Sequence, residues 1–411
     1  MNICFFTENY RKGGVDTFLI NLFNAWPDTE DKITLICNDT HAGLETILGR
    51  TVYPIKIKTY QSIFTSRIAR GQISNGSNFY YFLYLIFRLT FHLLQYPILF
   101  PWYVYTLKTF FRASKFDRLM VVNGGYPASL LCRCAAIAWR LAGKKHLATF
   151  NFHSSATRSP WYFRIFEDYL DRCVVRATNE IVGVSESSLN SLLSRKYLAD
   201  SKALHYIYNG IEDPLLKLRQ KKFEIYKPIN AKKYCLMLAT YEPYKGHTFL
   251  FEAFKKVLAE FPEMKLQIFG FGTYNEKNKV IEALKKYKLG QNVVLNDFAS
   301  ETAPLFANAS LLVVPSQAYE SFGLTIIEAM AFGIPVVTTD VGGIPEVLRG
   351  SHAGYVCSKD DPAAFADAIK TILRDPFLAK ELGQNGRRTF EDRFTASNMA
   401  KKYNLLLKTH I

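Results

Sequence analysis

The chain has 411 residues, with 51 Lys and Arg against 36 Asp and Glu, and a formal net charge of +15. At about 100–200 residues per domain this length accommodates two or three domains, and 49% hydrophobic with 21% charged residues excludes a largely disordered chain. Seven cysteines without a CxxC pair exclude a disulfide scaffold, and the CxC at Cys132 and Cys134 reads as buried thiols in a reducing compartment.

The N-terminal run Asn2–Phe6 reads as a strand and lacks the basic and small-residue flanks of a signal peptide, so a cytoplasmic location is expected. A helix is expected at Val15–Ala25 and a second strand at Ile33–Cys37. Between Arg50 and Arg118 the chain carries ten Lys or Arg and one acid, Asp117, which is +9 of the total +15. Fourteen of the 33 residues from Phe79 to Phe111 are Phe, Tyr or Trp. Leu89–Leu107 lacks charge across 19 positions, but Pro97 and Pro101 interrupt it, which argues against a membrane span. A cationic, aromatic pair of helices lying on an anionic membrane face is expected, with a buried helical hairpin as the alternative. No nucleic-acid-binding signature accompanies the charge, so nucleic acid is not expected as a partner.

Beyond this stretch, strands are expected at Leu119–Asn123, His146–Phe150 and Glu180–Val184, alternating with helices at Pro127–Leu141, Trp161–Ala177 and Ser187–Arg195. The polar, lysine-rich run from Asn209 to Lys233, with Pro214 and Pro228, reads as a linker. The rhythm then restarts. Strands are expected at Tyr234–Ala239, Lys265–Phe269, Asn292–Leu295, Leu311–Val314 and Pro335–Thr338, with helices at Thr248–Ala259, Asn275–Tyr287, Gly323–Phe332 and Pro362–Arg374. Strand–helix alternation of this kind builds α/β layers on parallel sheets, and ligands bind outside the carboxyl ends of such strands.

Three loops after strands carry candidate chemistry. Gly13-Gly14 opens the first helix, where backbone N–H groups and the helix dipole suit a phosphate; a plain turn is the alternative. Lys245-Gly246 precedes the helix from Thr248 and offers a point charge for a diphosphate, or is a solvated lysine. In Pro315-Ser316-Gln317-Ala318-Tyr319-Glu320-Ser321-Phe322-Gly323-Leu324-Thr325-Ile326-Ile327-Glu328, a strand end leads through Glu320 into a helix that carries Glu328. A carboxylate accepts hydrogen bonds from two neighbouring hydroxyls, which suits a sugar diol.

With its setting, this last pattern resembles the retaining glycosyltransferases of family 4, also called glycosyl transferases group 1, whose hallmark Glu-x7-Glu is matched by Glu320 and Glu328. The resemblance runs through Gly13-Gly14, Val182-Gly183-Val184-Ser185-Glu186, Tyr208-Asn209-Gly210-Ile211, Lys245-Gly246, Gly270-Phe271-Gly272 and Gly342-Gly343-Ile344-Pro345-Glu346, and is weakest over Tyr53–Arg118. It implies the GT-B fold, an α/β architecture of two Rossmann-like domains facing across a cleft. The first, 1–205, would receive the acceptor; the second, 212–390, would hold the nucleotide sugar; and the last helix, 395–409, would pack back on the first.

The resemblance also assigns roles. Glu328 would bind ribose hydroxyls. Glu320 would hold the donor sugar, with backbone N–H groups of Phe322, Gly323 and Leu324 nearby. Lys245 would neutralise the leaving diphosphate, and Gly13 and Gly14 would close the phosphate pocket. His153, just past a strand end, would lie near the anomeric centre. Many members have Gly-Arg before the lysine where this chain has Ala239-Thr240, so Thr240 offers the diphosphate a hydrogen bond without charge. Base contacts are expected near Phe298 and Ala299. No metal and no cofactor is expected beyond the donor, with a UDP-sugar favoured and a GDP-sugar next. The acceptor is expected to be a glycan or lipid-linked molecule of bacterial envelope polysaccharide or lipopolysaccharide, met at the inner face of the membrane through residues 50–118. The alternative is a catalytically weak partner subunit that binds a nucleotide sugar.

Overall fold

In the computed structural model of the chain, the described residues are 1–10, 12–61, 98–127, 129–144, 148–152, 156–157, 161, 164–199, 204–216, 234–299 and 301–409. The chain divides into two compact units, Met1–Ile207 with Ala400–Ile411, and Tyr208–Met399.

The first unit is built on a seven-stranded sheet in the order β3-β2-β1-β4-β5-β6-β7. Its strands are β1 (Asn2–Thr7), β2 (Lys32–Asn38), β3 (Ile55–Tyr60), β4 (Arg118–Asn123), β5 (Ala148–Phe152), β6 (Glu180–Gly183) and β7 (Leu204–Tyr206), all paired in parallel. β1 and β4 are unbroken apolar runs because both faces of a central parallel strand are covered by helices. β3 reads Ile-Lys-Ile-Lys-Thr-Tyr and sits at the sheet edge, its lysines exposed, as an edge strand that resists further pairing. The sequence reading absorbed this strand into the basic stretch, since two lysines in six residues masked the alternation.

The helices of this unit include α1 (Gly14–Asn24), α2 (Leu44–Arg50), α3 (Phe100–Ala113), α4 (Leu130–Leu141), α5 (Arg164–Ala177) and α6 (Glu186–Ser191). The expected helix from Pro127 begins at Leu130, because Ser129 caps it by accepting from the Cys132 N–H. α3 is amphipathic. Tyr103, Val104 and Phe111 enter the core, where Phe111 meets the Trp139 ring edge-on at 5.3 Å, while Trp102 and Tyr105 stay exposed. Truncating a buried ring of this kind costs about 3–5 kcal/mol. The aromatic stretch is thus partly core and partly surface, and residues 62–97 lie outside the described ones. Among the described residues no helix is long and apolar enough to cross a membrane. Arg118 is no surface cation: it is buried and donates through Nε to the Leu407 carbonyl at 2.7 Å.

The second unit has a six-stranded parallel sheet in the order β10-β9-β8-β11-β12-β13. These strands are β8 (Tyr234–Leu238), β9 (Lys265–Phe269), β10 (Val293–Asn296), β11 (Ala309–Val314), β12 (Val336–Thr339) and β13 (Gly354–Cys357). Its helices include α7 (His247–Leu258), α8 (Tyr274–Tyr287), α9 (Leu324–Ala331), α10 (Pro362–Arg374) and α11 (Pro376–Arg393). Phe249 of α7 and Phe365 of α10 meet edge-to-face at 5.3 Å. The last helix, α12 (Ala396–Lys408), carries Tyr403, whose buried hydroxyl accepts from Asn151 Nδ2 of β5 at 2.6 Å.

In both units the strand order reverses direction about the first strand. The reversal lies between β1 and β4 in the first unit and between β8 and β11 in the second. Loops diverge there at the carboxyl edge and leave a crevice, the usual place for a ligand in an open parallel sheet.

Candidate active site

The crevice of the second unit is bounded by the loops after β8 and β11, and these carry the Lys-Gly and Glu-x7-Glu residues. Lys245 Nζ lies 2.7 Å from Glu320 Oε2, with both side chains about four-fifths buried. The loops approach closely because Gly246 has a left-handed backbone, φ 80°, and a Cβ there would stand 1.8 Å from the Pro315 carbonyl oxygen. The Gln317 N–H also donates to the Tyr244 carbonyl at 2.7 Å. From behind, the Gly343 N–H donates to the Glu320 carbonyl at 2.8 Å, and a Cβ on Gly342, φ 59°, would meet that same oxygen at 2.1 Å. Only glycine combines this positive φ with so close an approach. The Gly342-Gly343 pair therefore sets the height of Glu320.

Helix α9 opens at Leu324 after Gly323, which has φ 94° and no side-chain capping bond. Its first-turn N–H groups must find partners outside the helix. Phe322 turns inward and is buried against Tyr208 and Phe394 at ring distances of 5.7 and 5.8 Å. Glu328 points into the unit. Burial raises its carboxyl to about 7, only partly offset by a hydrogen bond with Thr302, and Oε2 has no hydrogen-bond partner among the described residues. A buried carboxylate oxygen without a donor is costly unless something supplies one.

Thr240 donates through Oγ1 to Glu242 Oε2 at 2.7 Å, and the Tyr244 hydroxyl donates to the same oxygen at 2.7 Å. Glu242 and Tyr244 thus fill the surroundings of Thr240, and sequence reasoning passed over both. It also passed over His247, which begins α7 buried beside the Tyr241 ring at 5.5 Å. Burial and the nearby Lys245 charge push this imidazole down to about 4, so it is neutral at physiological pH. Phe271 and Phe298, beyond β9 and β10, form an exposed edge-to-face pair at 5.8 Å.

In the first unit, Gly13 and Gly14 begin α1 beside a buried polar knot. Asp16 Oδ2 accepts from the Gly13 N–H at 3.0 Å, and its Oδ1 accepts from Asn9 Nδ2 at 3.2 Å and lies 2.8 Å from His41 Nε2. Asn38 exchanges hydrogen bonds with the Asn9 backbone at 2.9 and 3.1 Å. His41, in the loop that follows β2, buttresses the glycine turn through Asp16. His153 lies outside the described residues, one position past the end of β5. Among the described residues no cluster of His, Cys, Asp or Glu has the makings of a metal site. Cys132 and Cys235 are buried, which pushes both thiols up to about 12.

Comparison with known proteins gives this geometry a context. Residues 219–389 match the family described as glycosyl transferases group 1. The chain is 27% identical over 237 residues to N-acetyl-alpha-D-glucosaminyl L-malate synthase of Bacillus anthracis, covering 57% of this chain and 60% of that relative. It is 26% identical over 304 residues to the capsular polysaccharide biosynthesis glycosyltransferase CapM of Staphylococcus aureus, covering 71% and 78%. A crystal structure of a glycosyltransferase from Rickettsia africae superposes with a TM-score of 0.72 at 18% identity, covering 99% of this chain and 97% of that one. Anabaena Alr3699/HepE in complex with UDP superposes with a TM-score of 0.69 at 19% identity over the full length of both. At these identities the structures establish a shared fold, with two parallel-sheet Rossmann-like domains.

Proposed function

From the match of residues 219–389 to the glycosyl transferases group 1 family, we propose that this chain transfers a sugar from a nucleoside diphosphate donor to a hydroxyl of a glycan or glycolipid, with retention of anomeric configuration. The observation that carries the reading is the Lys245–Glu320 contact at the β8/β11 reversal, where a cation and a carboxylate stand at one crevice. A donor sugar diphosphate brings the complement of both: hydroxyls for Glu320 and anionic oxygens for Lys245.

In this reading the ribose hydroxyls donate to Glu328, relieving its unpartnered buried oxygen. The donor sugar lies on Glu320 and on the N–H groups opening α9 at Phe322, Gly323 and Leu324. Lys245 takes the charge that develops on the departing diphosphate, an electrostatic contribution realised most fully in the transition state. Thr240 acts indirectly: by engaging Glu242 it holds that carboxylate away from the phosphates. No side chain is assigned as a nucleophile. The acceptor hydroxyl attacks the face that the leaving group vacates and passes its proton to a phosphate oxygen. The base rests between Phe298 and the chain at Ala299.

UDP is the proposed nucleotide, supported by the UDP complex of the Anabaena neighbour. The acceptor is proposed to belong to bacterial envelope polysaccharide, supported by the capsular relative. A membrane-facing role for the first unit is supported by the exposed Ile98, Trp102 and Tyr105 beside Lys108, Arg112 and Lys115. Thermal unfolding with UDP, GDP, dTDP and ADP, followed by assay of UDP-sugar hydrolysis, tests the core of the proposal. A ligand at 100 times its Kd stabilises by ~2.7 kcal/mol, a readable shift for UDP. Absence of a shift with all four nucleotides rejects donor binding; a shift without hydrolysis or transfer favours the partner-subunit alternative.

A further inference from the structure

Lys245 has a second neighbour besides Glu320. Its Nζ stands 5.1 Å from the centre of the Tyr244 ring, a distance at which the ring quadrupole attracts an ammonium. Adjacent side chains can touch without consequence, but this ring is held from outside. The Tyr244 hydroxyl donates to Glu242 Oε2 at 2.7 Å, and Thr240 Oγ1 donates to the same oxygen at 2.7 Å. The Tyr244 carbonyl accepts from the Gln317 N–H at 2.7 Å, which ties the residue to the loop after β11. The Lys245 N–H closes the short helical turn Pro243–Lys245 on the Glu242 carbonyl at 3.0 Å. Burial, with the Glu242 carboxylate beside it, pushes the Tyr244 phenol well above its ordinary value, so the hydroxyl keeps the proton that it donates. Tyr244 is only half-buried, yet it is anchored at its hydroxyl and at its backbone.

A lysine stem is flexible and loses much of its freedom when its ammonium is fixed. In the chain without donor, Glu320 fixes it at 2.7 Å. In the proposed function the donor sugar's hydroxyls turn to Glu320, so that carboxylate is shared just when the diphosphate needs the Lys245 charge. A ring face attracts the cation as a whole and not through one fixed N–H. It therefore holds the ammonium while donors remain for phosphate oxygens.

We propose that Tyr244 is a positioning residue for the transfer: its ring keeps the Lys245 ammonium at the crevice once the donor engages Glu320, and Glu242, itself held by Thr240, keeps the ring there by its hydroxyl. The proposal rests on the glycosyltransferase reading. Tyr244 acts through Lys245 and does not itself touch the donor.

The test is a mutant cycle on the full chain, with UDP and uridine titrated by calorimetry. Tyr244→Leu weakens UDP by about three- to tenfold, the loss of one partly desolvated cation–ring contact, and leaves uridine unchanged. Tyr244→Phe, which keeps the ring and loses only the tether, recovers most of the UDP affinity. In a Lys245→Met background, Tyr244→Leu has no further effect, because the two residues act as one unit. A merely structural tyrosine gives the opposite pattern, with losses that add and uridine weakened as much as UDP. Either of those results overturns the proposal, as does a Tyr244→Leu variant that binds UDP like wild type, or a Tyr244→Phe variant as weak as Tyr244→Leu. In each of these cases wild type still binds UDP. Absence of UDP binding to wild type rejects the donor reading itself and the proposal with it, so the two failures are distinct. Should Tyr244→Leu fail to fold, Tyr244→Met carries the same comparison.

Discussion

Lys245 Nζ donates to Glu320 Oε2 at 2.7 Å across 75 residues of sequence. The pair is partly exposed, at 20% and 17% for the two side chains, so its own contribution to stability is small. Its value is geometric. Each charge holds the other at the crevice; in the proposed function a sugar diphosphate would replace this one ion pair by two better-matched contacts.

Glu320→Gln keeps the shape of the side chain and removes its charge. We expect turnover to fall by about 100-fold or more, the usual cost of losing a transition-state contact, while UDP affinity changes by no more than about threefold. Steady-state kinetics and calorimetric titration of UDP measure the two quantities. A parallel collapse of UDP affinity would falsify the assignment of Glu320 to the sugar.

Lys245→Met removes the cation and keeps the stem. UDP affinity should fall by about 10- to 100-fold, as for one to two charge-assisted hydrogen bonds, with uridine affinity unchanged. Competition binding of UDP, UMP and uridine to the variant separates charge from shape. If uridine weakens as much as UDP, Lys245 supports the fold of the loop instead.

Glu328 makes stability depend on pH and, in the proposed function, nucleotide affinity as well. Its carboxyl in the folded chain, at about 7, stands above the ordinary glutamate value of 4.5 because burial disfavours the anion. The folded unit therefore holds a proton that the unfolded chain has released, and stability falls as pH rises from about 4.5 to 7, levelling off above that. The full shift corresponds to about 3 kcal/mol. Glu328→Gln should melt higher than wild type at pH 8 and close to it at pH 4.5. If ribose hydroxyls donate to the ionised form, as the proposed function has it, wild-type affinity for uridine, which carries no phosphate, should rise between pH 6 and 8 and stay flat in the variant. Equal pH profiles for the two proteins would remove Glu328 from the site.

The exposed face of α3 predicts membrane binding that depends on lipid charge. Each basic residue near an anionic surface contributes about 1 kcal/mol, so Lys108→Glu with Arg112→Glu should abolish flotation with anionic liposomes. Wild type should bind these liposomes at low salt, release at high salt, and ignore neutral ones. Absence of wild-type binding under all conditions sinks the membrane reading.

Much of the architecture was legible in the residues themselves. Apolar runs such as the one through Phe5-Phe6 and the one through Val121-Val122, between turn residues, read as buried strands, and the restart at Tyr234 marks a second unit, because a strand's periodicity and a helix's cap are local properties. The Glu-x7-Glu spacing was likewise visible, as was Lys245-Gly246, since each lies within one loop and the turn beside it. β3 was hidden because its lysines alternate at an edge, where polar residues are tolerated on one side of the pleat.

Tertiary structure alone decided which distant groups meet. Nothing local joins Lys245 to Glu320, Thr240 to a competing carboxylate at Glu242 through a shared tyrosine neighbour, or Arg118 to the Leu407 carbonyl. Partner choice and desolvation depend on how whole elements pack, and the strand order that creates each crevice is a property of the folded sheet.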